Sequence, residues 1–517
     1  MGFVWFTLGA LALFGLLSLL AAYMYGHFAR QARGPVSRVL PREAEATLFD
    51  RQIGPLTGAH IGESGLVMLA SNLDAFAARA FSARFAGRSL DLMYYIWKSD
   101  LTGRLLLNEV LAAAERGVRV RLLLDDIGID NGDATLLALA SHPNIELRLF
   151  NPTQTRDSTL RRGIEMALRA FSVTRRMHNK AWIVDGRLMI AGGRNIGDEY
   201  FDATEASTFR DLDLLAIGEV VEAGETMFDS FWNSGFALPV TALGGAAGTT
   251  LAALRTRLQH NAEGAAAEPY LCRVRDRLSL VDFMRVSPIH WTTEARLLYD
   301  RPEKVMGEFV DNGLMRELVP IFRKARARID ITSPYFIPGE EGTREFRALS
   351  GGGVAVRILT NSLAATDVAA VHGGYAPYRA PLLAGGVALY ELRRAFDRRN
   401  MSLRGSSRAS LHTKAFTVDD RIGFIGSLNF DPRSSSLNTE MGILFENAGL
   451  VGAMQQLFEA EISDETSYAL ALGETGRLEW RTRIRGDVVT FDREPDVGLS
   501  RRLIAWAVGL LPIESQL

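Results

Sequence analysis

The sequence has little cysteine, little histidine and almost no concentrated charge. Its 517 residues include one cysteine, Cys272, which excludes an intrachain disulfide and allows a reducing compartment. The net charge is −2 and the isoelectric point is near 6.5, whereas dedicated nucleic-acid binders usually carry a basic stripe. One short basic run, at 393–408, is either a loop that attracts anionic lipid or a solvated charged loop. This balance counts against a nuclease.

The N-terminal segment lacks both charge and proline. Gly2 to Tyr25 consists mostly of Leu, Ala, Phe and Gly, and at about 1.5 Å per residue it is long enough to span a bilayer. No Lys or Arg precedes this run and no clear cleavage site follows it, which favours an anchor over a cleaved signal peptide. We therefore predict a transmembrane anchor at 1–28 and a juxtamembrane linker at 29–64. The positive-inside rule places the rest of the chain in the cytoplasm, because four arginines follow the span: Arg30, Arg33, Arg38 and Arg42.

Two of the eight histidines begin the same spaced pattern. Relative to each histidine, a lysine follows at +2, an aspartate at +7, a glycine at +14 and an asparagine at +17. A single copy would be weak evidence, since surface His and Lys in hairpins are common, but a duplicated pattern is strong. The two copies contain His178, Lys180, Asp185, Gly192 and Asn195, and His412, Lys414, Asp419, Gly426, Ser427 and Asn429.

This duplicated set suits a tetrahedral phosphodiester. A His and a Lys two apart on a strand point to the same face, so each copy presents both side chains together. The two lysines would donate to phosphate oxygens, with Asn195, Asn429 and Ser427 as further phosphate-binding residues. One imidazole can attack phosphorus while the other protonates the leaving alcohol. We expect no metal and no cofactor, because the lysines supply the positive charge.

Each copy is also predicted to form a hairpin. Asp185-Gly186 separates two apolar runs, which is a strong hairpin signal, and Asp419-Asp420 stands at the equivalent turn. Asp185 and Asp419 belong to the catalytic motif, and we expect them mainly to hold the turn. Gly192-Gly193 follows the first hairpin and gives room for a ligand to approach the backbone.

The duplication extends beyond the motifs. Gly117–Leu123 matches Gly353–Leu359, and each half alternates strands with helices. This alternation predicts an α/β fold with two α/β sandwich domains related by a pseudo-two-fold, the histidine hairpins meeting at their interface. We place the domain boundaries at 65–236 for the first domain, 237–290 for a connection, 291–480 for the second domain and 481–517 for a C-terminal amphipathic tail.

The motif pair resembles the HKD signature of the phospholipase D superfamily. Further segments look like bacterial cardiolipin synthases of the C type, and the resemblance spans roughly 65–515. The fold it implies is a pair of phospholipase D-like domains behind a membrane anchor. The segments are 94–97, 116–126, 192–198, 359–365, 430–434 and 437–442.

The resemblance implies roles for individual residues. His178 would form a covalent phosphohistidine, and His412 would act as general acid and then as base. An acid downstream of each motif would orient the histidine of the opposite motif, and the candidates are Asp211, with Asp213 as a rival, and Glu440. Three further residues have two interpretations each: Arg194 and Arg433 contact phosphate or pair with nearby acids, and His372 lines a headgroup site or stabilises a loop.

The activity implied is that of a membrane-bound phosphatidyltransferase. It would make cardiolipin from phosphatidylglycerol and a donor, either phosphatidylethanolamine or a second phosphatidylglycerol, at the bacterial inner membrane. The same chemistry with water as acceptor would make it a phospholipase D that releases phosphatidic acid. A nucleic-acid phosphodiesterase and an inactive lipid-binding scaffold are two less favoured hypotheses. The sequence identifies no accessory protein.

Overall fold

The computed structural model describes residues 2–129, 133–156, 158–204, 208–244, 248–275, 288–307, 313–394, 409–509 and 516. Nearly all of the basic run at 393–408 lies outside the described residues. The chain begins with a helix, Gly2–Gln31, in which Trp5–Gln31 is long and apolar enough to cross a membrane by length and composition. Its first part is exposed, whereas Tyr25, Phe28 and Ala29 pack against the protein core.

The first half of the chain forms a nine-stranded sheet. Its centre holds three parallel strands whose side chains are almost all buried, as expected for strands covered on both faces. The strand order is β10-β1-β8-β6-β5-β2-β3-β4-β9. The strands are β1 (Ser64–Leu69), β2 (Ser89–Tyr94), β3 (Arg119–Asp125), β4 (Ile145–Phe150), β5 (Ala181–Val184), β6 (Leu188–Gly192), β8 (Asp213–Gly218), β9 (Ala237–Pro239) and β10 (His290–Thr292).

The second half repeats this arrangement in a ten-stranded sheet. Its order is β11-β18-β17-β16-β12-β13-β14-β19-β20-β21. In both sheets three parallel strands are followed by an antiparallel hairpin, β5–β6 in the first and β16–β17 in the second. The strands are β11 (Arg296–Tyr299), β12 (Arg328–Thr332), β13 (Ala355–Asn361), β14 (Ala388–Leu392), β16 (Ala415–Val418), β17 (Ile422–Gly426), β18 (Met441–Glu446), β19 (Ser467–Leu472), β20 (Leu478–Ile484) and β21 (Asp487–Phe491).

Helices cover both sheets. Those of the first half are Leu48–Ala59, Asn72–Phe85, Leu101–Glu115, Asp133–Ala140, Thr159–Leu168, Ala170–Val173, Glu219–Trp232, Leu251–Ala262 and Glu268–Arg275. Those of the second half are Leu314–Arg323, Gly339–Gly351, Ala369–Tyr375, Arg379–Ala384, Pro432–Ser436, Ala448–Glu461 and Leu499–Gly509. The predicted α/β class with two sandwich domains and one N-terminal membrane-span candidate is confirmed.

The two halves share one core. A buried cluster combines apolar residues from both catalytic hairpins, including Ala181 and Ala191 of the first with Ala415 and Ile425 of the second. A separate two-stranded sheet also joins them, because β7 (Thr208–Arg210) pairs in parallel with β15 (Ala409–Leu411). Burial of this shared surface holds the two motifs against each other.

Two predicted boundaries do not match the edges of the sheets. Both ends of the segment predicted as a connection, 237–290, are strands of the first sheet, β9 and β10. The predicted tail, 481–517, includes most of β20 and all of β21, which extend the second sheet. These strands are three to seven residues long, so the local pattern carried little signal for them.

Candidate active site

His178 lies just before β5, where its backbone is held by the other half of the molecule. Its N–H donates to the carbonyl oxygen of Thr439 at 2.9 Å. Its ring Nδ1 lies 2.8 Å from Oε2 of Glu440, and the residue is 8% exposed. The acid beside the first histidine therefore comes from the second half, 262 residues away in sequence.

His412 is placed by the equivalent arrangement. Its N–H donates to the carbonyl oxygen of Arg210 at 2.8 Å, and its Nδ1 lies 2.5 Å from Oδ2 of Asp211. Asp213, the rival candidate, instead pairs with Arg79 at 2.9 Å and with Arg194 at 3.3 Å. Each histidine is thus hydrogen bonded to a carboxylate of the opposite half, which fixes its ring and leaves Nε2 as the other reactive nitrogen.

The motif lysines are buried beside these pairs. Nζ of Lys180 donates to the carbonyl oxygen of His178 at 2.7 Å, and Nζ of Lys414 donates to that of His412 at 2.5 Å. Burial lowers the pKa of Lys180 to about 7 and that of Lys414 to about 8. An anionic phosphate between them would favour their charged forms, so the site is suited to bind a phosphodiester.

The two acid–histidine pairs differ in their electrostatics. Burial raises the pKa of Glu440 to about 7, and burial together with Lys180 lowers the pKa of His178 well below its ordinary value. Burial by itself would raise the pKa of Asp211, but the adjacent His412 lowers it below its ordinary value. Burial and the lysine of its own motif also lower the pKa of His412, although the ionised Asp211 opposes that shift. Both imidazoles are therefore held towards the neutral form, His178 more strongly than His412.

Two tyrosines pack on the catalytic rings. The ring of Tyr95 meets that of His178 edge to face at 5.1 Å, and the ring of Tyr200 meets that of His412 in the same way at 5.1 Å. Tyr95 follows a buried strand, and its sequence context indicates no more than a pocket rim. Sequence reasoning missed Tyr200, whose one signal is its position five residues after Asn195.

Two of the predicted phosphate ligands also make contacts within the protein. Oδ1 of Asn195 accepts from the N–H of Ile96 at 3.2 Å, and its Nδ2 donates to the hydroxyl of Tyr200 at 2.8 Å. The hydroxyl of Ser427 donates to Oε2 of Glu440. Both side chains thus position neighbouring residues, and the amide of Asn195 retains a second N–H donor. Their binding of phosphate stays a prediction. For Asn429, whose Oδ1 is buried without a hydrogen-bond partner, phosphate binding stays a prediction.

The motif aspartates lie at the far ends of the hairpins and away from the histidines. Asp185 accepts hydrogen bonds from the N–H groups of Gly87, Arg88 and Ser89. Asp419 accepts from the N–H groups of three successive residues, 326–328. Both have left-handed backbone conformations, with φ of 53° and 51°. They tie each hairpin to the start of the neighbouring strand, which corrects their grouping with the catalytic residues and gives them a turn-holding role.

The remaining candidates are placed outside the catalytic pair. Arg194 is fully buried and donates to backbone carbonyls such as Leu69 at 2.9 Å, which is a structural role. His372 joins Glu391 and Glu494 in a buried cluster whose ligand atoms lie within 4.8 Å of one another. The guanidinium of Arg379 lies in this cluster, 2.6 Å from Glu494 and 3.3 Å from Glu391, and offsets part of its negative charge.

Comparison with known proteins agrees with this geometry. A family model described as "Cardiolipin synthase, PLD-like domain" matches residues 83–232 and 318–462, together more than half of the chain. Cardiolipin synthase C of Escherichia coli strain K12 is 40% identical over 488 residues, covering 92% of this chain and 99% of that one. An uncharacterized protein of Helicobacter pylori strain J99 is 33% identical over 477 residues, covering 90% and 92%.

A solved structure has the same fold. The crystal structure of phosphatidylserine synthase from Haemophilus influenzae Rd KW20 covers 90% of this chain and 99% of its own, with a TM-score of 0.56 and 14% identity. Fold, paired motifs and family model define an enzyme, a phospholipase D-type phospholipid phosphatidyltransferase. Within that class the chain belongs to the cardiolipin synthase family with phospholipase D-like domains. The family and the N-terminal apolar helix make it a membrane-associated protein of phospholipid metabolism.

Proposed function

We propose that the protein synthesises cardiolipin through a covalent phosphohistidine on His178. The neutral imidazole attacks the phosphorus of a donor phospholipid through Nε2, and the bond from phosphorus to the headgroup oxygen breaks. His412 gives its proton to the departing alkoxide. A hydroxyl of phosphatidylglycerol then attacks the phosphorus, the phosphorus–nitrogen bond breaks, and His412 takes the hydroxyl proton. Both histidines return to their starting forms.

The difference between the two acid–histidine pairs supports this order of roles. A nucleophile must be unprotonated, and His178, whose pKa is held well below its ordinary value, meets that need. The general acid must carry a proton at the start, and His412 is hydrogen bonded to Asp211, whose pKa is lowered so that it stays ionised. Burial and the adjacent Lys414 lower the pKa of His412 as well, but the carboxylate of Asp211 opposes that shift. The pKa of His178 is lowered further, so His412 is the better proton carrier of the two.

The lysines and their surroundings support phosphate as the group that is bound. Lys180 and Lys414 are buried beside the histidine pair and come from equivalent positions of the two halves. As the phosphorus becomes five-coordinate, charge grows on its non-bridging oxygens, and two fixed ammonium groups stabilise that charge. The donor lipid is either phosphatidylethanolamine or a second phosphatidylglycerol.

We also propose a location, the bacterial inner membrane, with both sandwich domains in the cytoplasm. Arg30 and Arg33 follow the exposed part of the N-terminal helix, and the positive-inside rule supports a cytoplasmic side for that end. The phospholipid substrates lie in the same membrane, so an anchored enzyme can bind them without extracting lipid into water.

A product assay tests the proposed activity. Purified protein is added to vesicles of phosphatidylglycerol, with and without phosphatidylethanolamine, and the lipids are read by mass spectrometry. We expect cardiolipin from the wild type and none from His178→Ala or His412→Ala. If cardiolipin forms only when phosphatidylethanolamine is present, phosphatidylethanolamine is the donor. Accumulation of phosphatidic acid in place of cardiolipin would make the protein a hydrolase, and turnover by His178→Ala would overturn the mechanism.

An activated donor separates the two histidine roles. Phosphatidyl-p-nitrophenol has a leaving group that needs no proton, so the general acid is dispensable in the first step. We expect His412→Ala to release a burst of about one nitrophenolate per protein and then stall as the phosphohistidine. His178→Ala should give no burst. The reverse pattern would assign the nucleophile to His412.

A further inference from the structure

Two surface helices expose large apolar residues, while most of their charged residues are bonded to the protein. Helix Thr159–Leu168 buries no residue, and Leu160 and Ile164, one turn apart on one face, are 75% and 53% exposed. On a surface helix of a soluble domain the apolar stripe faces the core. A contiguous apolar face that is exposed indicates a surface that a membrane or another protein covers.

Two charged residues of this first helix, Arg162 and Glu165, are bonded to the protein. Arg162 lies 3.3 Å from Asp126, and Glu165 accepts from the backbone N–H groups of Gln154 and Thr155 at 2.9 Å. The orientation of the helix is therefore set by its polar face. Its apolar face remains outward as a consequence of that anchoring, and rotation towards the core would break these bonds.

Helix Leu499–Gly509 repeats the arrangement on the other half. Leu503, Ile504 and Trp506 are each at least half exposed, whereas Ala505 packs against Gly373. Two of its basic residues bond to the protein backbone: Arg501 to the carbonyl oxygen of Thr366, and Arg502 to that of Glu494 at 2.6 Å. A tryptophan on an outward apolar face is typical of a membrane interface.

Both helices lie near the strand ends that carry the catalytic pair. The C-terminal ends of β2 and β12 pair with the starts of β5 and β16, just after the histidines. The first helix follows the same end of β4, and Arg501 of the second bonds to Thr366, which follows the same end of β13.

Arg433 links the segments that follow the two helices, donating to the carbonyl oxygen of Thr174 at 2.6 Å and to that of Gln516 at 3.5 Å. The charge of Arg433 is close enough to lower the pKa of His178. The two apolar faces therefore belong to the part of the surface that surrounds the active site.

The membrane-span helix indicates what covers this surface. Its last turns lie against helix Thr159–Leu168, and the guanidinium of Arg169, directly after that helix, stacks 3.3 Å from the ring centre of Tyr25. Residues before Tyr25 are mostly exposed, so the bilayer boundary falls near this contact. The first apolar face is thus continuous with the surface of the span.

We propose that helices Thr159–Leu168 and Leu499–Gly509 form a second membrane contact, in which their exposed apolar residues lie in the headgroup and upper acyl region. With the N-terminal span they hold the active site against the bilayer on both sides of the catalytic histidines. A lipid can then present its phosphate to the histidines while its acyl chains stay in the membrane.

The test places an environment-sensitive fluorophore on each face of the full-length protein. In a Cys272→Ser background, single cysteines replace Leu160, Ile164 or Leu503 and are labelled with a nitrobenzoxadiazole dye. Ile61, which is 86% exposed, gives the matched control. It precedes the start of β1, whereas the other end of that strand pairs with the start of β8, near the active site. The proteins are reconstituted in vesicles of phosphatidylglycerol and phosphatidylethanolamine, with or without lipids that carry a nitroxide near the headgroup.

We expect a blue shift at the three test positions and loss of most of their emission with nitroxide lipid, with neither change at Ile61→Cys. Absence of a blue shift would overturn the proposal. A blue shift without quenching by nitroxide lipid would also overturn it, because the face would then be covered by protein, such as a second copy of the chain. Thermal unfolding of each labelled protein confirms its fold, and Ile164→Cys reports on the first helix if Leu160→Cys is unstable.

Discussion

Ser427 stands where the first motif has Gly193, and this single difference separates the surroundings of the two histidines. The hydroxyl of Ser427 donates to Oε2 of Glu440, the oxygen that also faces His178. Gly193 has no side chain, and a Cβ at that position would come within 2.2 Å of Asp211. The glycine therefore gives Asp211 the space to approach, while the serine adds a donor to Glu440.

At the residue scale we predict that Ser427→Ala shifts the acid limb of the activity profile to higher pH. Burial raises the pKa of Glu440 to about 7 and the Ser427 hydroxyl opposes that shift, so its loss raises the pKa further. The ionised carboxylate is the form that accepts from His178, and it is lost as pH falls through the pKa. The profile of kcat/KM against pH measures this shift. Ser427→Thr, which keeps a hydroxyl, is the control, and an unchanged acid limb in Ser427→Ala would contradict the prediction.

At the scale of elements, the catalytic hairpins are held at their turns rather than at the histidines. Asp419 bonds three successive N–H groups at the start of β12, and Asp185 does the same at the start of β2. Each aspartate thus fixes where its hairpin meets the neighbouring parallel strand. The histidine lies at the opposite end of the same strand, so its position depends on this attachment.

We predict that Asp419→Ala lowers the free energy of unfolding by about 1–3 kcal/mol, because backbone donors lose their acceptor. Burial by itself would raise the pKa of Asp419, but the N–H donors lower it below its ordinary value. Its stabilising effect is therefore present above the unfolded pKa of about 3.9 and is lost as pH falls through the folded pKa. Chemical denaturation at several pH values measures this, with Asp487→Ala on an exposed strand as control. A large activity loss with unchanged stability would instead indicate a catalytic role.

At the scale of the whole molecule, the active site exists only where the two halves meet. His178 depends on Glu440 and His412 depends on Asp211, so neither half contains a complete acid–histidine pair. The shared core and the pairing of β7 with β15 supply the stabilisation that brings them together. A site between repeated domains is a common solution for binding a substrate that needs two symmetric contacts.

We predict that co-expressed His178→Ala and His412→Ala chains do not complement each other. Both histidines of one site lie in one chain, so a mixture of the two variants contains no complete site. Cardiolipin formation in the co-expressing cells measures this against wild type and each single variant. Recovery of about a quarter of the wild-type activity would mean that the halves exchange between chains, as domain swapping allows.

The short-range spacing of the sequence was enough to predict the hairpins, the paired histidines and lysines, and the α/β class. These features depend on neighbours along one strand, and a period of two places His178 and Lys180 on one face regardless of the rest. The membrane span is likewise a local property of composition, at 5–31.

Only the tertiary structure decided which partner each polar group has. Asn195 bonds to Tyr200 and Ser427 bonds to Glu440, contacts that no local pattern in the sequence indicates. Strands β9, β10 and β21 were not predicted either, because their hydrogen-bond partners determine them more than their own residues do. The sequence by itself determined the chemistry that the chain carries, and tertiary packing determined which groups are free to perform it.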